Sequence, residues 1–419
     1  MQLKFPTRLR QSLRALYSRN YRLFFIGQGL SLVGSWMTQI ASIWLVYDLT
    51  HSTLLLGIVA VITQSPSFTL APMAGFLADR WNRHHILLVT QSLAMIRSLA
   101  LAALTLTHHI HIWHLVALGL VQGMIMALDM PTRQAFLPEM VNNKEDLSNA
   151  IALNSSLVSS ARLMGPAIAG LLIAMAGAGV CFLVDGISYI AVIAALLAMK
   201  ITPKVNHSRS TKSPWQDMKA GFRYALHSLP IRSVLLLLAL VNFMGTPFVA
   251  LGPAFARDVL HGGSDTFGLL MTTSAIGALA GAIYLGSRTG IVGLEKLLMI
   301  APIALGIGLI VFSQSHILWF SLAIIMLLGC LLVIQNAASN TIVQAIVDDE
   351  KRGRVMGLYI ITTEAMIPFG NLFAGGLATQ IGMLNTLLVE GSFCLLGSYL
   401  FLRVMPKLRQ SLVAAQKAM

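Results

Sequence analysis

Long apolar stretches recur along the chain, broken by short polar segments, and they predict helices rather than strands. A bilayer span needs about 20 mostly apolar residues. Twelve stretches of that order stand at residues 22–47, 53–78, 86–107, 113–130, 148–176, 178–199, 231–256, 266–286, 294–314, 317–343, 355–380 and 384–403. The longest polar interruption, Lys200 to Ser213, divides them six and six. The expected fold class is all-α integral membrane, with 12 transmembrane helices in two pseudo-symmetric six-helix bundles. The expected organisation is a segment 1–21, a first bundle 22–199, a linker 200–230, a second bundle 231–403 and a tail 404–419.

The halves echo each other at an offset of about 207 residues. Ser35 and Gln39 in the first span answer Asn242 and Thr246 in the seventh, and Thr63-Gln64-Ser65 answers Thr272-Thr273-Ser274. Their shared offset points to duplication, and parallel six-span halves place a binding site at the repeat interface.

Composition agrees with a membrane solvent. Of 419 residues, 56% are hydrophobic and 11% charged, against about 25% charged in soluble domains, and the mean hydropathy is +0.76. Residues 1–20 are basic and polar, so no separate signal peptide is expected. The net charge of +13 is distributed by topology. With the amino terminus inside, all but three of the 29 Lys and Arg fall in cytoplasmic segments or helix ends, the exceptions being Arg97, Arg162 and Arg257. This asymmetry predicts that both termini are cytoplasmic. It also makes the lipid bilayer the large partner, with no nucleic acid, in a multi-pass protein of the bacterial cytoplasmic (inner) membrane. Cys181, Cys330 and Cys394 lie in spans without close spacing and suggest neither disulfide nor metal.

Polar side chains inside spans usually face protein or water. Gln28, Ser31, Ser35, Gln39 and Ser42 recur at intervals of three and four, and Asn242, Thr246, Pro253 and Arg257 repeat the pattern in the seventh span. The two readings are a cavity lining and polar contacts between packed helices. Arg162 shares a face with Ser155, Ser159 and Pro166, and Glu364 shares one with Pro368 and Asn371. Glu364 is the candidate proton-coupling carboxylate, a fixed ion pair with Arg162 being the competing reading. Arg97 with Asp185 reads as a structural pair, and Glu390 as structural or lipid-interfacial. Asp129 and Arg133, four apart at the cytoplasmic end of the fourth span, read as an intracellular gate or a simple cap. Asp129 is the second proton-coupling candidate. His108, His109, His111 and His114 cluster in one short external loop, where pH sensing or a metal are possible roles, but the spacing is no ligand geometry. No phosphate-binding loop and no hydrolase or zinc motif occurs, so neither an enzyme, a cofactor nor a metal is expected.

Gly75-Phe76-Leu77-Ala78-Asp79-Arg80-Trp81-Asn82-Arg83 resembles the signature loop of the major facilitator superfamily, departing from it at Asn82 and His84. The resemblance implies a gating latch of Asp79, Arg80 and Arg83 with the basic run Lys351-Arg352-Gly353-Arg354, in which Arg352 and Arg354 take part. Ala161-Arg162-Leu163-Met164-Gly165-Pro166 is similar to the antiporter motif of exporters in that superfamily, making Gly165 and Pro166 gating residues, with Arg133 at the inner end of the fourth span. The arginine usual in the fourth span is replaced by Gly119. Pro131-Thr132-Arg133-Gln134-Ala135-Phe136-Leu137-Pro138-Glu139 resembles the branch that includes the enterobactin exporter and macrolide-efflux proteins.

The expectation is a monomeric secondary exporter working by alternating access on an amphipathic small molecule, drug- or siderophore-like, in exchange for protons. Its substrate cavity is expected to use Gln28, Ser35, Gln39, Arg162, Asn242, Thr246, Glu364 and Asn371. A proton-independent facilitator or a lipid or lysolipid flippase is the alternative within the fold. An intramembrane enzyme or a receptor is the alternative outside it.

Overall fold

The computed structural model describes residues 13–70, 81–141, 143–200, 222–288, 290 and 293–418. They are helical almost throughout. The long helices are α1 (Arg19–Thr50), α2 (Thr53–Thr69), α3 (Arg83–Leu106), α4 (Ile112–Met140), α5 (Leu147–Ala176), α6 (Ala178–Ala198), α7 (Leu229–Met244), α8 (Ser264–Gly286), α9 (Leu294–Ser313), α10 (Leu318–Ile346), α11 (Asp349–Ile381), α12 (Met383–Leu402) and α13 (Met405–Ala418). Among the described residues, eleven helices are long and apolar enough to cross a bilayer, and Thr53–Ser67 is a shorter apolar helix. Residues 404–419, expected as a plain tail, are largely the helix α13.

Three boundaries differ from the hydropathy reading, and the end expected at residue 78 for the second span lies outside the described residues. α4 runs to Met140 through Pro131 and Pro138, so the fourth apolar stretch covers only part of it. α11 begins at Asp349, which places Lys351-Arg352-Gly353-Arg354 inside the helix rather than ahead of it. Asp348 at the N-cap favours an earlier start, because an acidic side chain suits a helix amino terminus. α7 ends at Met244. Beyond it, short helical turns at Pro247–Val249 and Gly252–Ala254 lead into a π-turn at Phe255–Val259. Pro247 and Pro253 cannot donate backbone hydrogen bonds, so the regular spacing of polar residues read along the seventh span does not form one stripe.

The chain forms two compact units. The first comprises residues 1–45 and 62–209, the second 46–61 and 210–419. The first is closed at one end by Ala15, Tyr21, Phe24, Phe136, Met140 and Leu196. The second has a corresponding cluster around Leu238, Leu298, Ile342, Val355 and Leu408.

Duplication shows in the internal packing of each unit. Gly123 of α4 lies against the Thr63 carbonyl of α2, and Gly329 of α10 against the Ser274 carbonyl of α8. Gly186 of α6 meets Leu99 of α3, and Gly391 of α12 meets Ile310 of α9. Gly165 of α5 meets the Trp36 Cβ of α1, and Gly370 of α11 meets the Phe243 carbonyl of α7. None of these positions has room for a Cβ, and small residues of this kind let helix backbones approach closely. Gly119 adds a reason for the missing fourth-span arginine: a Cβ there would stand 2.5 Å from Thr63 Oγ1.

Candidate functional site

The interior of the first unit holds two acids, each accepting hydrogen bonds from α3. Thr90 Oγ1 and Gln91 Nε2 donate to Asp129 Oδ1 at 2.9 and 2.7 Å, and Arg133 pairs with the other oxygen. Seven residues on, two turns along the same face, Ser98 Oγ donates to Asp185 Oδ2 at 2.8 Å. Thr38 adds a second bond at 2.9 Å, and Ser35 reaches both Asp185 and the Tyr189 hydroxyl. Arg97 lies nearby, its Nε donating to the Leu118 carbonyl at 3.3 Å. Arg97 is 8% exposed and Asp185 fully buried. Ser35, expected to line a cavity, instead serves this internal network, because α1 turns that face toward α6. Thr38 and Ser98 were not legible as site residues, since lone hydroxyls in apolar helices carry no sequence signal.

Gln28 is likewise buried in the first unit, whereas Gln39 and Arg162 are exposed on it. Arg162 stands near the middle of α5 with its guanidinium 5.5 Å from the Trp36 ring centre. Ser155 and Ser159, on the same face, are also exposed. Trp36 was not singled out from sequence, although it answers Phe243 at the offset relating Ser35 to Asn242. At the unit's edge, Arg83 binds Glu139 at 2.7 Å and the Ala135 carbonyl at 3.1 Å. Asn82, the departure from the signature loop, caps α3 by accepting from the amides of His84 and His85. Asp79 and Arg80 lie outside the described residues.

In the second unit, Asn242 is buried and donates to the Leu238 carbonyl and to Asn336. Thr246 donates to the Asn242 carbonyl at 2.6 Å. Asn371 is 7% exposed, close to Gly57, whose Cβ would meet the Asn371 carbonyl at 2.6 Å. Gln28, Ser35, Asn242 and Asn371 are thus placed among packed helices rather than on an open wall. Glu364, near the middle of α11, is exposed on this unit. Arg352 and Arg354 lie in the first turns of the same helix. Within this unit, Arg257 binds Asp48 at 2.6 Å, and the Tyr47 hydroxyl donates to Asp258. The π-turn supplies both of the latter partners, and such turns recur at functional places.

Glu390, read as structural or lipid-facing, is wholly buried on α12, and neither oxygen has a hydrogen-bond partner. Helices α6 and α12 correspond at an offset of 205, so Glu390 is the repeat counterpart of Asp185. By the Leu99 and Ile310 contacts, Arg97 and Ser98 correspond to Gly308 and Leu309, neither of which has a side-chain donor.

Among the described residues, no three His, Cys, Asp or Glu side chains converge as metal ligands. His114 Nδ1 accepts from the His111 amide at 3.1 Å, part of the cap of α4. An apolar groove of about 600 Å³ runs between α3 and α4, lined by Val89, Leu93, Val121 and Met124 with Trp81 at one end.

The family model described as "Transmembrane secretion effector" matches residues 11–418. The chain is 27% identical over 393 residues to the staphyloferrin A transporter of Staphylococcus aureus, covering 93% of this chain and 97% of that protein. It is 26% identical over 392 residues to the enterobactin exporter EntS of Shigella boydii, covering 93% and 92%. Among solved structures, a bacterial homologue of the human lysosomal transporter Spinster aligns with a TM-score of 0.74 at 13% identity, covering 94% of this chain and 97% of that one. A bacterial homologue of the iron transporter ferroportin aligns at 0.67 and 16%, covering 93% and 98%; at such identities the likeness is one of fold. With this match along nearly its whole length, the chain belongs to the transmembrane secretion effector family, inner-membrane transporters of the major facilitator superfamily and not enzymes.

Proposed function

We propose that the protein is a secondary exporter of an amphipathic, siderophore-like small molecule, working by alternating access in exchange for protons, with both termini and the 200–230 linker cytoplasmic. The carrying observation is the state of the four acids set more than a turn inside the long helices, Asp129, Asp185, Glu364 and Glu390. Asp129 and Asp185 are held by several donors each, and Glu390 is sealed from solvent. Glu364 alone among them is open and without a hydrogen bond or ion pair to any described residue. An exchanger needs a carboxyl group that can trade a proton for substrate, and Glu364 is free to do so. Gln39 and Arg162 are the exposed polar residues of the first unit that this reading assigns to substrate, and the two named siderophore transporters supply the substrate type.

The test is transport of enterobactin in proteoliposomes with an imposed pH gradient. Wild type accumulates it against its gradient. Glu364→Gln keeps the shape but cannot titrate, so uphill movement is lost while substrate exchange at equilibrium persists. Undiminished uphill transport by a stable Glu364→Gln protein would remove the coupling role.

A further inference from the structure

Arg162 is a cation about 22 Å from either end of α5, on a face shared with Ser155 and Ser159. Exposed serines and an arginine at that depth do not face hydrocarbon; they face water or a bound molecule. The acids of the first unit that lie inside its long helices are committed elsewhere, Asp129 to Arg133, Thr90 and Gln91, Glu139 to Arg83, and Asp185 to Thr38 and Ser98 beside Arg97. Arg162 has no carboxylate partner among the described residues. Its guanidinium stands 5.5 Å from the Trp36 ring centre.

That contact shapes what Arg162 can bind. A cation–π contact engages the charge and no N–H in particular, and none of the guanidinium donors bonds a described residue, so they stay available to an anion. Ser155 and Ser159 turn their hydroxyl hydrogens to the carbonyls of Ile151 and Ser155, so the donor on this face is Arg162. The repeat separates packing from binding. The second unit brings Gly370 of α11 equally close to Phe243 of α7, there at the backbone carbonyl, yet has Ile367 at the position 205 residues after Arg162. The contact therefore forms without a cation, and the arginine answers another need.

We propose that Arg162, held by Trp36, docks an anionic group of the transported molecule, making the substrate class an amphipathic anion with a carboxylate or similar planar oxyanion beside an aromatic or apolar body. This rests on the carrier reading given above. The guanidinium fork takes a carboxylate through two parallel N–H bonds, and the indole supplies an adjoining apolar wall.

Three probes with one fluorophore test it: dansylglycine (anion), its primary amide (neutral) and dansylcadaverine (cation). Saturable exchange is measured in liposomes bearing the full-length protein, along with energy transfer from tryptophan to dansyl. Wild type should prefer the anion over the amide by about tenfold, as about 1.4 kcal/mol implies. The energy transfer should fall in Trp36→Phe. Arg162→Gln should erase the preference with unchanged thermal stability, and Arg162→Lys should keep part of it. Exchange without charge preference, preference for the amide or the cation, or a preference surviving Arg162→Gln would overturn the anion assignment and leave the carrier standing. Exchange of no probe by wild type would count against the carrier reading and carry this proposal with it.

Discussion

Asp185 and Glu390 show how one position in a repeat can have opposite energetics. Asp185 collects hydroxyl donors from α1 and α3, whereas Glu390 collects none. Removing a partner from a satisfied buried network costs about 1–3 kcal/mol, while replacing an unsatisfied group by an apolar one of similar size is neutral or favourable. Asp185→Ala should therefore lower the melting temperature in detergent, stranding Thr38 and Ser98 beside Arg97. Glu390→Met should leave it unchanged or raise it. Equal losses in both variants would show that Glu390 has a stabilising partner after all.

At the scale of elements, the break in α7 matters most. Gly245, Pro247 and Pro253 end the regular helix, and the π-turn then aims Arg257 at Asp48 and Asp258 at Tyr47. An exposed pair such as Asp48–Arg257 contributes only about 0–1 kcal/mol, so it suits a contact that must open and close. Asp48→Asn should leave expression unchanged. In a background lacking Cys181, Cys330 and Cys394, it should also speed labelling of Thr246→Cys by a membrane-impermeant thiol reagent. Labelling at the unmodified rate would leave the pair with no part in access. Apolar length made the helices legible in the sequence, and their ends came within a few residues except where Pro and acidic residues shifted them. The polar stripes were less legible. Spacing of three and four says which residues share a helix face but not what covers it, and in α1 and α7 neighbouring helices cover Ser35 and Asn242. Arg162 and Glu364 were legible because a mid-span charge is costly wherever it sits; Trp36 was not, because an aromatic ring in an apolar helix looks like any other core residue.

For the whole molecule, the two units are variations on one set of contacts, and the differences between them are chemical rather than architectural. Cations and acids have been distributed unequally over a common frame: Arg162 where the second unit has Ile367, and Glu364 where the first has Ser159. The duplicated glycine contact supplies the molecule with an internal control. Gly165→Ala and Gly370→Ala each add one methyl at the corresponding helix contact, against the Trp36 side chain in one unit and the Phe243 backbone carbonyl in the other. Overpacking of this kind costs about 1–3 kcal/mol, and both variants should lose thermal stability. Only Gly165→Ala displaces the ring against which Arg162 rests, so it alone should weaken dansylglycine binding beyond what the shared destabilisation explains. Comparing the twin substitutions, each set beside its own loss of stability, would then separate ligand recognition from packing.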